Sequence, residues 1–431
     1  MRGIKSRLII MNFLQFAVWG SYLTSMGGYL FAKGQGDMIG WFYAMQGIVS
    51  MFMPAIMGII ADKWMPAQRL LGLCHAIAAI FIAAAGYFAS SDMIVPMFVL
   101  YSISVAFYMP TLALSNSVAY TSLEIGGYDT VKAFPPIRVF GTVGFIVAML
   151  ICDFAGFQAS HIQFYQCALI GVAMSLFTML LPNCPVSKSV GNKNIMQRLG
   201  LDAFKLFKSK LMALFFIFSM LLGVSLQITN GFANGFITSF KNLPEFANTF
   251  GANHANALIS LSQVSETLCI LLIPICLKRL GIKWVMLIAM FAWVLRFGLF
   301  GLGNPGDGLW MFILSMIVYG VAFDFFNISG SLFVNENTSG EMRSSAQGLF
   351  MIMTNGIGAT VGTLSAQAVV NRFVPEAVNN VDKVVTNGNA IAEGWSHTWL
   401  IFAGYALVVA LLFWALFKYK HNPNQMVDIK H

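Results

Sequence analysis

Apolar runs long enough to cross a hydrocarbon layer recur along the whole of this 431-residue chain, and they constrain its fold more than any other feature. A bilayer core about 30 Å thick needs about 20 apolar residues per helix. By that measure twelve spans are expected, near residues 8–31, 38–60, 70–88, 93–119, 135–154, 162–181, 211–239, 254–277, 283–302, 309–334, 344–370 and 396–417. Composition agrees: 58% of residues are apolar and 10% charged, against roughly 45–50% and about 25% in soluble domains. That leaves too little polar surface to cover a water-facing exterior, so a soluble fold is excluded, along with disorder and fibrous repeats. The first run lacks a small-residue cleavage site and is followed at once by another span, so it is expected to remain rather than to act as a removable signal.

The formal net charge of +8 comes from 25 Lys and Arg against 17 Asp and Glu. These cations sit in short loops between apolar runs, which speaks against nucleic acid as a partner and for the retention of Lys and Arg on the cytoplasmic side of a membrane. With the N-terminus inside, the inner segments hold nineteen cations; the outer loops hold Lys33, Lys241, Arg372 and Lys383, and Arg138 and Arg296 lie within spans. Both termini are therefore expected in the cytoplasm. A basic inner connection follows span six and divides the chain into a six-helix half over 1–181, a linker over 182–210 and a second half over 211–431. Within the linker, Gly200–Lys210 places Leu201, Phe204 and Phe207 apart from Lys205 and Lys208. It reads either as a short helix on the membrane surface or as a plain linker. The outer loop over 371–395, with Asn379, Asn380, Asn387, Gly388 and Asn389, is assigned no chemistry.

Several chemistries are absent. The six cysteines Cys74, Cys152, Cys167, Cys184, Cys269 and Cys276 form no CxxC and no Cys/His cluster with zinc-like spacing, so no disulfide framework, metal site or cofactor is implied. No G-x-x-x-x-G-K-[ST] segment exists to bind ATP, and Gly301–Gly308 (GLGNPGDG) reads as an outer turn. An intramembrane enzyme is disfavoured because no Ser-His-Asp, paired-metal or H-E-x-x-H pattern lies in the spans; His75, His161, His254 and His397 are read at span edges or in loops. Gradients of ions or substrate remain as the energy source.

Four ionisable residues fall inside spans: Arg138, Glu266, Arg296 and Asp324. A charge at a helix centre costs roughly 2.5–3.5 kcal/mol on insertion scales, so such groups face a polar cavity or one another. Arg138, three residues after Pro135, fits either an interfacial anchor or a site. Arg296 fits a structural partner or a snorkelling cation. Glu266 and Asp324 sit deep and read as cavity groups. Residues three and four apart share a helix face, and this spacing aligns Arg138, Thr142 and Phe145; Gln227, Asn230 and Asn234; Gln263 and Glu266; and Tyr319, Phe323 and Asn327 with Asp324 beside them. A cavity of amides, carboxylates and rings suits a neutral ligand with several hydroxyls and a flat ring. The breakers Pro54, Gly58, Pro110, Gly223, Pro274, Gly356, Gly358 and Gly362 permit close helix contact or bending.

Twelve spans in two halves joined by a basic loop resemble the major facilitator superfamily, as does GIIADKWMPAQR over Gly58–Arg69, which is similar to its loop signature. There the resemblance implies a gating role for Asp62 and Lys63, with Asp62 set against the positive end of a neighbouring helix. Lys63 takes the first basic position, while Trp64–Gln68 depart from the usual continuation. Longer stretches resemble the bacterial nucleoside:proton symporter family: FLQFAVWGSYLTSMGGY, FPPIRVFGTVGFI, FFIFSMLLGVSLQITN, SLSQVSETLCILLIP, SMIVYGVAFDFFNISGSLFV and RSSAQGLFMIMTNG.

That resemblance implies an all-α integral membrane protein of the major facilitator fold, acting as a monomer in lipid, with a nucleoside site between the halves. Carried over singly, it implies substrate contacts from Arg138, Thr142, Phe145, Gln227, Asn230, Gln263, Glu266, Tyr319 and Phe323. A carboxylate in a partly dry cavity can load a proton on one side and release it on the other, and either Asp324 or Glu266 serves, since ligand binding and proton carriage need the same residue type. The expectation is proton-coupled nucleoside symport across the bacterial inner membrane by alternating access. The alternatives are a sugar or polyol symporter and an uncoupled facilitator.

Overall fold

A computed structural model describes residues 3–186, 201–339, 342–375 and 387–419. Among these residues every regular element is helical, as lipid requires of chains that must satisfy each backbone N–H and C=O within a segment. Ten helices are long and apolar enough to cross a membrane, and a bent pair supplies an eleventh. The chain divides into two compact units, Met1–Leu199 and Gly200–His431.

The first unit contains α1 (Ile4–Gly20), α2 (Met26–Ala32), α3 (Ile39–Ser50), α4 (Met53–Lys63), α5 (Ala67–Ser90), α6 (Ile94–Ile125), α7 (Thr130–Phe154) and α8 (Ile162–Phe177). Span one, expected to be continuous, is broken at residues 21–25. The reason is local: the Ser21 hydroxyl donates to Ala17 O at 2.8 Å and that of Ser25 to Gln163 Oε1 at 2.9 Å, so short polar side chains compete with the helical ladder. Helix α5 packs on α6 and α8, and α1 packs along α7. The last pair approaches to backbone contact. A Cβ on Gly20 would strike the Phe145 backbone, and one on Gly144 the Phe13 backbone.

The second unit begins with a 3-10 segment, Leu201–Lys208, where Phe204 and Phe207 stack at 6.0 Å. Its long elements are α9 (Lys210–Ser239), α10 (Ala255–Ile270), α11 (Ile273–Leu280), α12 (Ile282–Leu302), α13 (Leu309–Glu336), α14 (Arg343–Met351), a π-helix over Ile352–Gly358, α15 (Ala359–Phe373) and α16 (Gly388–Leu416). Helices α10 and α11 meet at 54° just before Pro274. Proline at that position cannot continue the preceding ladder. The expected outer turn forms around Asn304, whose side-chain carbonyl accepts from Gly306 N at 2.9 Å and Gly308 N at 3.0 Å. Among the flagged breakers, Gly223, Gly358 and Gly362 are contact points that bring α9 against the π-helix and α15, whereas Gly58 faces open space.

Side-chain exposure follows the membrane logic. On α12 the large apolar residues Trp284, Ile288, Phe291 and Leu295 are exposed at helical spacing. The opposite face buries Val285, Ala289, Trp293, Arg296 and Phe297. A helix apolar on its outer as well as its inner face is suited to contact lipid.

Candidate functional site

In the first unit, Arg138, Thr142 and Phe145 follow one face of α7, as their spacing requires. The Arg138 guanidinium lies 3.9 Å from the Phe16 ring centroid, a cation over an aromatic face. Tyr108 on α6 is within electrostatic reach of Arg138. Phe145 is buried and meets Trp19 edge-on at 6.3 Å. Trp19 in turn lies 6.0 Å from Tyr108. The Arg138 guanidinium thus lies over the Phe16 ring of α1, with Tyr108 in electrostatic reach.

In the second unit the amides of α9 are already engaged. Asn230 Nδ2 donates to Gln227 Oε1 at 2.8 Å, while Asn234 Nδ2 donates to Asn256 Oδ1 at 2.9 Å. The first pair presents a joined donor and acceptor set; Asn234 ties α9 to α10. Helices α10 and α13 bring together Gln263, Glu266, Tyr319, Phe323 and Asp324. Tyr319 lies within electrostatic reach of Glu266, Arg296 and Asp324 and within hydrogen-bonding reach of Gln263. Its ring stacks on Phe323 at 5.7 Å and 5°. Asp324 is 6% exposed and Glu266 is half-buried. The close approach that allows this is Gly320, whose missing Cβ leaves room for the Ser265 backbone and Cys269 Sγ.

Arg296 does not snorkel. It is 2% exposed, donates from Nη1 to Ser315 O at 2.6 Å, and lies 4.7 Å and 5.1 Å from the Tyr319 and Phe300 centroids. It is the structural partner of the two alternatives, joining α12 to α13. Lys63 is exposed at the end of α4. The Asp62 side chain lies outside the described residues, as do Lys188, Lys193, Arg198, Asn379, Asn380 and Lys383.

His75 overturns the expectation that the histidines lie at span edges. It sits inside α5 with no exposed surface, its Nε2 2.8 Å from Gln15 Oε1. Gln15 Nε2 donates to Thr111 Oγ1 at 2.7 Å, and the Tyr108 hydroxyl donates to Gln15 O at 2.8 Å. Sequence reasoning missed this group because its members are divided among three helices, Gln15 on α1, His75 on α5 and Tyr108 with Thr111 on α6, and only the fold brings them together. The buried amides Asn12 and Gln15, three apart in an apolar run, and the polar stripe of Ser104, Tyr108 and Thr111 on α6 were the available signals.

Among the described residues no group of three metal-binding side chains occurs. Multiple helices suited to spanning, polar clusters on their buried faces and two carboxylates within those helices fit a multi-pass membrane transporter. The profile of the nucleoside H+ symporter family matches residues 2–422, and the chain belongs to that family, whose function is proton-coupled nucleoside transport. It is 47% identical to the nucleoside permease NupG of Escherichia coli strain K12 over 97% of each chain. To the xanthosine permease of the same strain it is 45% identical, over 100% of this chain and 99% of the relative. A crystal structure of a NupG point mutant shares 47% identity and a TM-score of 0.89, covering 96% of this chain and 100% of the other, so the fold is that of the major facilitator superfamily.

Proposed function

We propose that this chain accumulates nucleosides across a bacterial inner membrane as a monomer in lipid, with both termini in the cytoplasm and residues 182–210 linking its halves. Arg138, Thr142, Phe145, Gln227, Asn230, Gln263, Glu266, Tyr319 and Phe323 contact the nucleoside; Asp324 or Glu266 carries the proton; Asp62 and Lys63 act in gating. The observation that carries this reading is the convergence of an amide, two carboxylates and two stacked rings around Tyr319. Rings take a flat base, and carboxylates and amides take sugar hydroxyls. A proton taken up by one of the carboxylates removes the charge that would otherwise oppose reorientation through an apolar surround.

The test is uptake of labelled uridine and adenosine by the purified protein in liposomes with an imposed inward proton gradient. Accumulation should collapse when the gradient is dissipated, and unlabelled nucleosides should compete while free ribose, lacking the stacking ring, should not. Ribose competing as well as uridine would transfer the assignment to a sugar or polyol symporter. Flux indifferent to the gradient would indicate a facilitator.

A further inference from the structure

The His75 group has an internal logic that fixes its protons. The Thr111 hydroxyl donates to Tyr108 O at 2.5 Å, so its oxygen must accept from Gln15. That turns the Gln15 amide nitrogen toward Thr111 at 2.7 Å and its carbonyl toward His75 at 2.8 Å. A carbonyl accepts only, so His75 Nε2 must carry hydrogen. Its other nitrogen, Nδ1, is buried with no hydrogen-bond partner in the protein. Beside it, Tyr22, Ser104, Tyr108 and Cys167 line a cavity with room for about one water molecule.

The same group holds Tyr108 at two points: its hydroxyl donates to Gln15 O at 2.8 Å, and its ring meets the His75 ring edge-on at 5.9 Å. Having donated, the Tyr108 hydroxyl stays within electrostatic reach of Arg138. Arg138 also rests on Phe16, the residue after Gln15. Tyr108 and Phe16, two of the groups beside that guanidinium, thus meet α1 at Gln15 and at the residue after it, and the Gln15 side chain is oriented by His75.

We propose that His75 is a positioning residue for the substrate face of the first unit, a neutral Nε2–H imidazole that holds the Gln15 side chain on Thr111 of α6 and packs its ring on Tyr108 of the same helix, so setting Tyr108 beside Arg138. This rests on the reading of Arg138 as a substrate contact.

Uridine affinity of the purified full chain tests it. His75→Leu should weaken binding about ten-fold, while His75→Gln, which returns an N–H near the Nε2 position, should bind within about two-fold of the parent. Gln15→Leu should match His75→Leu, and the double variant should be no weaker than either, since both break one connection. Parent-like binding by His75→Leu, failure of rescue by His75→Gln, or additive losses would overturn the positioning role. Arg138→Gln, measured alongside, separates the two readings. If it binds like the parent, the substrate reading of Arg138 is wrong and the last link of the chain goes with it; if it binds weakly while His75→Leu does not, only the positioning role fails. Nitrogen NMR of histidine-labelled protein gives a check independent of folding in the leucine variant. Resonances of an Nε2–H tautomer that vanish in His75→Gln are expected, and an Nδ1–H tautomer or an imidazolium at neutral pH would sink the proposal.

Discussion

The two units bury different polar groups on comparable helices. In the first, α5 carries His75 against Tyr108 of α6; in the second, α12 carries Arg296 against Tyr319 of α13. Each polar side chain is at most 2% exposed. The imidazole has one amide carbonyl at Nε2 and no protein partner at Nδ1, whereas the guanidinium has a backbone carbonyl and two aromatic faces to offset its desolvation. Tyr319, against which the cation packs, stands near Glu266 and Asp324, and the imidazole stands near an amide and hydroxyls. On the proposed function the units do different work: the second handles proton charge at Asp324 or Glu266, and the first supplies shape and a fixed cation at Arg138.

The largest effect should come from breaking the charged side of that contrast. Asp324→Asn and Glu266→Gln keep shape and remove the titratable proton, so at least one should abolish uptake against a gradient while preserving nucleoside exchange. Arg138→Gln should weaken binding yet leave the ratio of protons to nucleoside unchanged. If both carboxylate variants concentrated nucleoside with the parent's pH dependence, the division of labour would be wrong.

A smaller effect is expected from the amides. Gln227→Ala, Asn230→Ala and Gln263→Ala each remove one good contact, worth roughly 1–3 kcal/mol or about five- to 150-fold in affinity. Because Asn230 donates to Gln227, those two losses should overlap in a double variant, while Gln263→Ala should add to either. Calorimetric titration with uridine reads this directly, and full additivity of the first pair would mean that the two amides act separately.

The smallest change falls on the rings. Phe145→Ala and Phe323→Ala should weaken binding several-fold, given about 0.5–1.5 kcal/mol for an aromatic pair beyond area burial. Phe323 already stacks on Tyr319, whereas Phe145 is edge-on to Trp19; the Phe323 variant should therefore also disturb Tyr319. Unchanged affinity in both, with normal membrane insertion, would assign these rings to packing.

Much of this was legible in the sequence wherever a physical rule has a period. Span length is set by bilayer thickness, so most apolar runs emerged as helices, with errors at their ends and at internal breaks: the first is interrupted at residues 21–25 and the eighth bends before Pro274. The stripe of Arg138, Thr142 and Phe145 and the cluster of Glu266 and Asp324 followed from helical spacing and from the cost of burying charge. What did not emerge was aperiodic. The break at residues 21–25 depends on serine hydroxyls finding partners on the same helix and on α8, the burial of Arg296 on a tyrosine and a carbonyl from α13, and the His75 network on three helices meeting. Such contacts are decided by tertiary neighbours, and no local spacing encodes them.

The backbone seam between α1 and α7 has a mechanical consequence. Where Gly20 meets Phe145 and Gly144 meets Phe13, no side chain stands between the two helices to change rotamer and absorb strain. Close-packed interiors transmit displacement rather than damping it, so the pair behaves as one stiff beam. A ligand pressing on Phe145 or Arg138 therefore loads α1 along its length. The compliance of that half of the protein must lie where the beam ends, at residues 21–25, whose backbone bonds alternate between three- and four-residue closure.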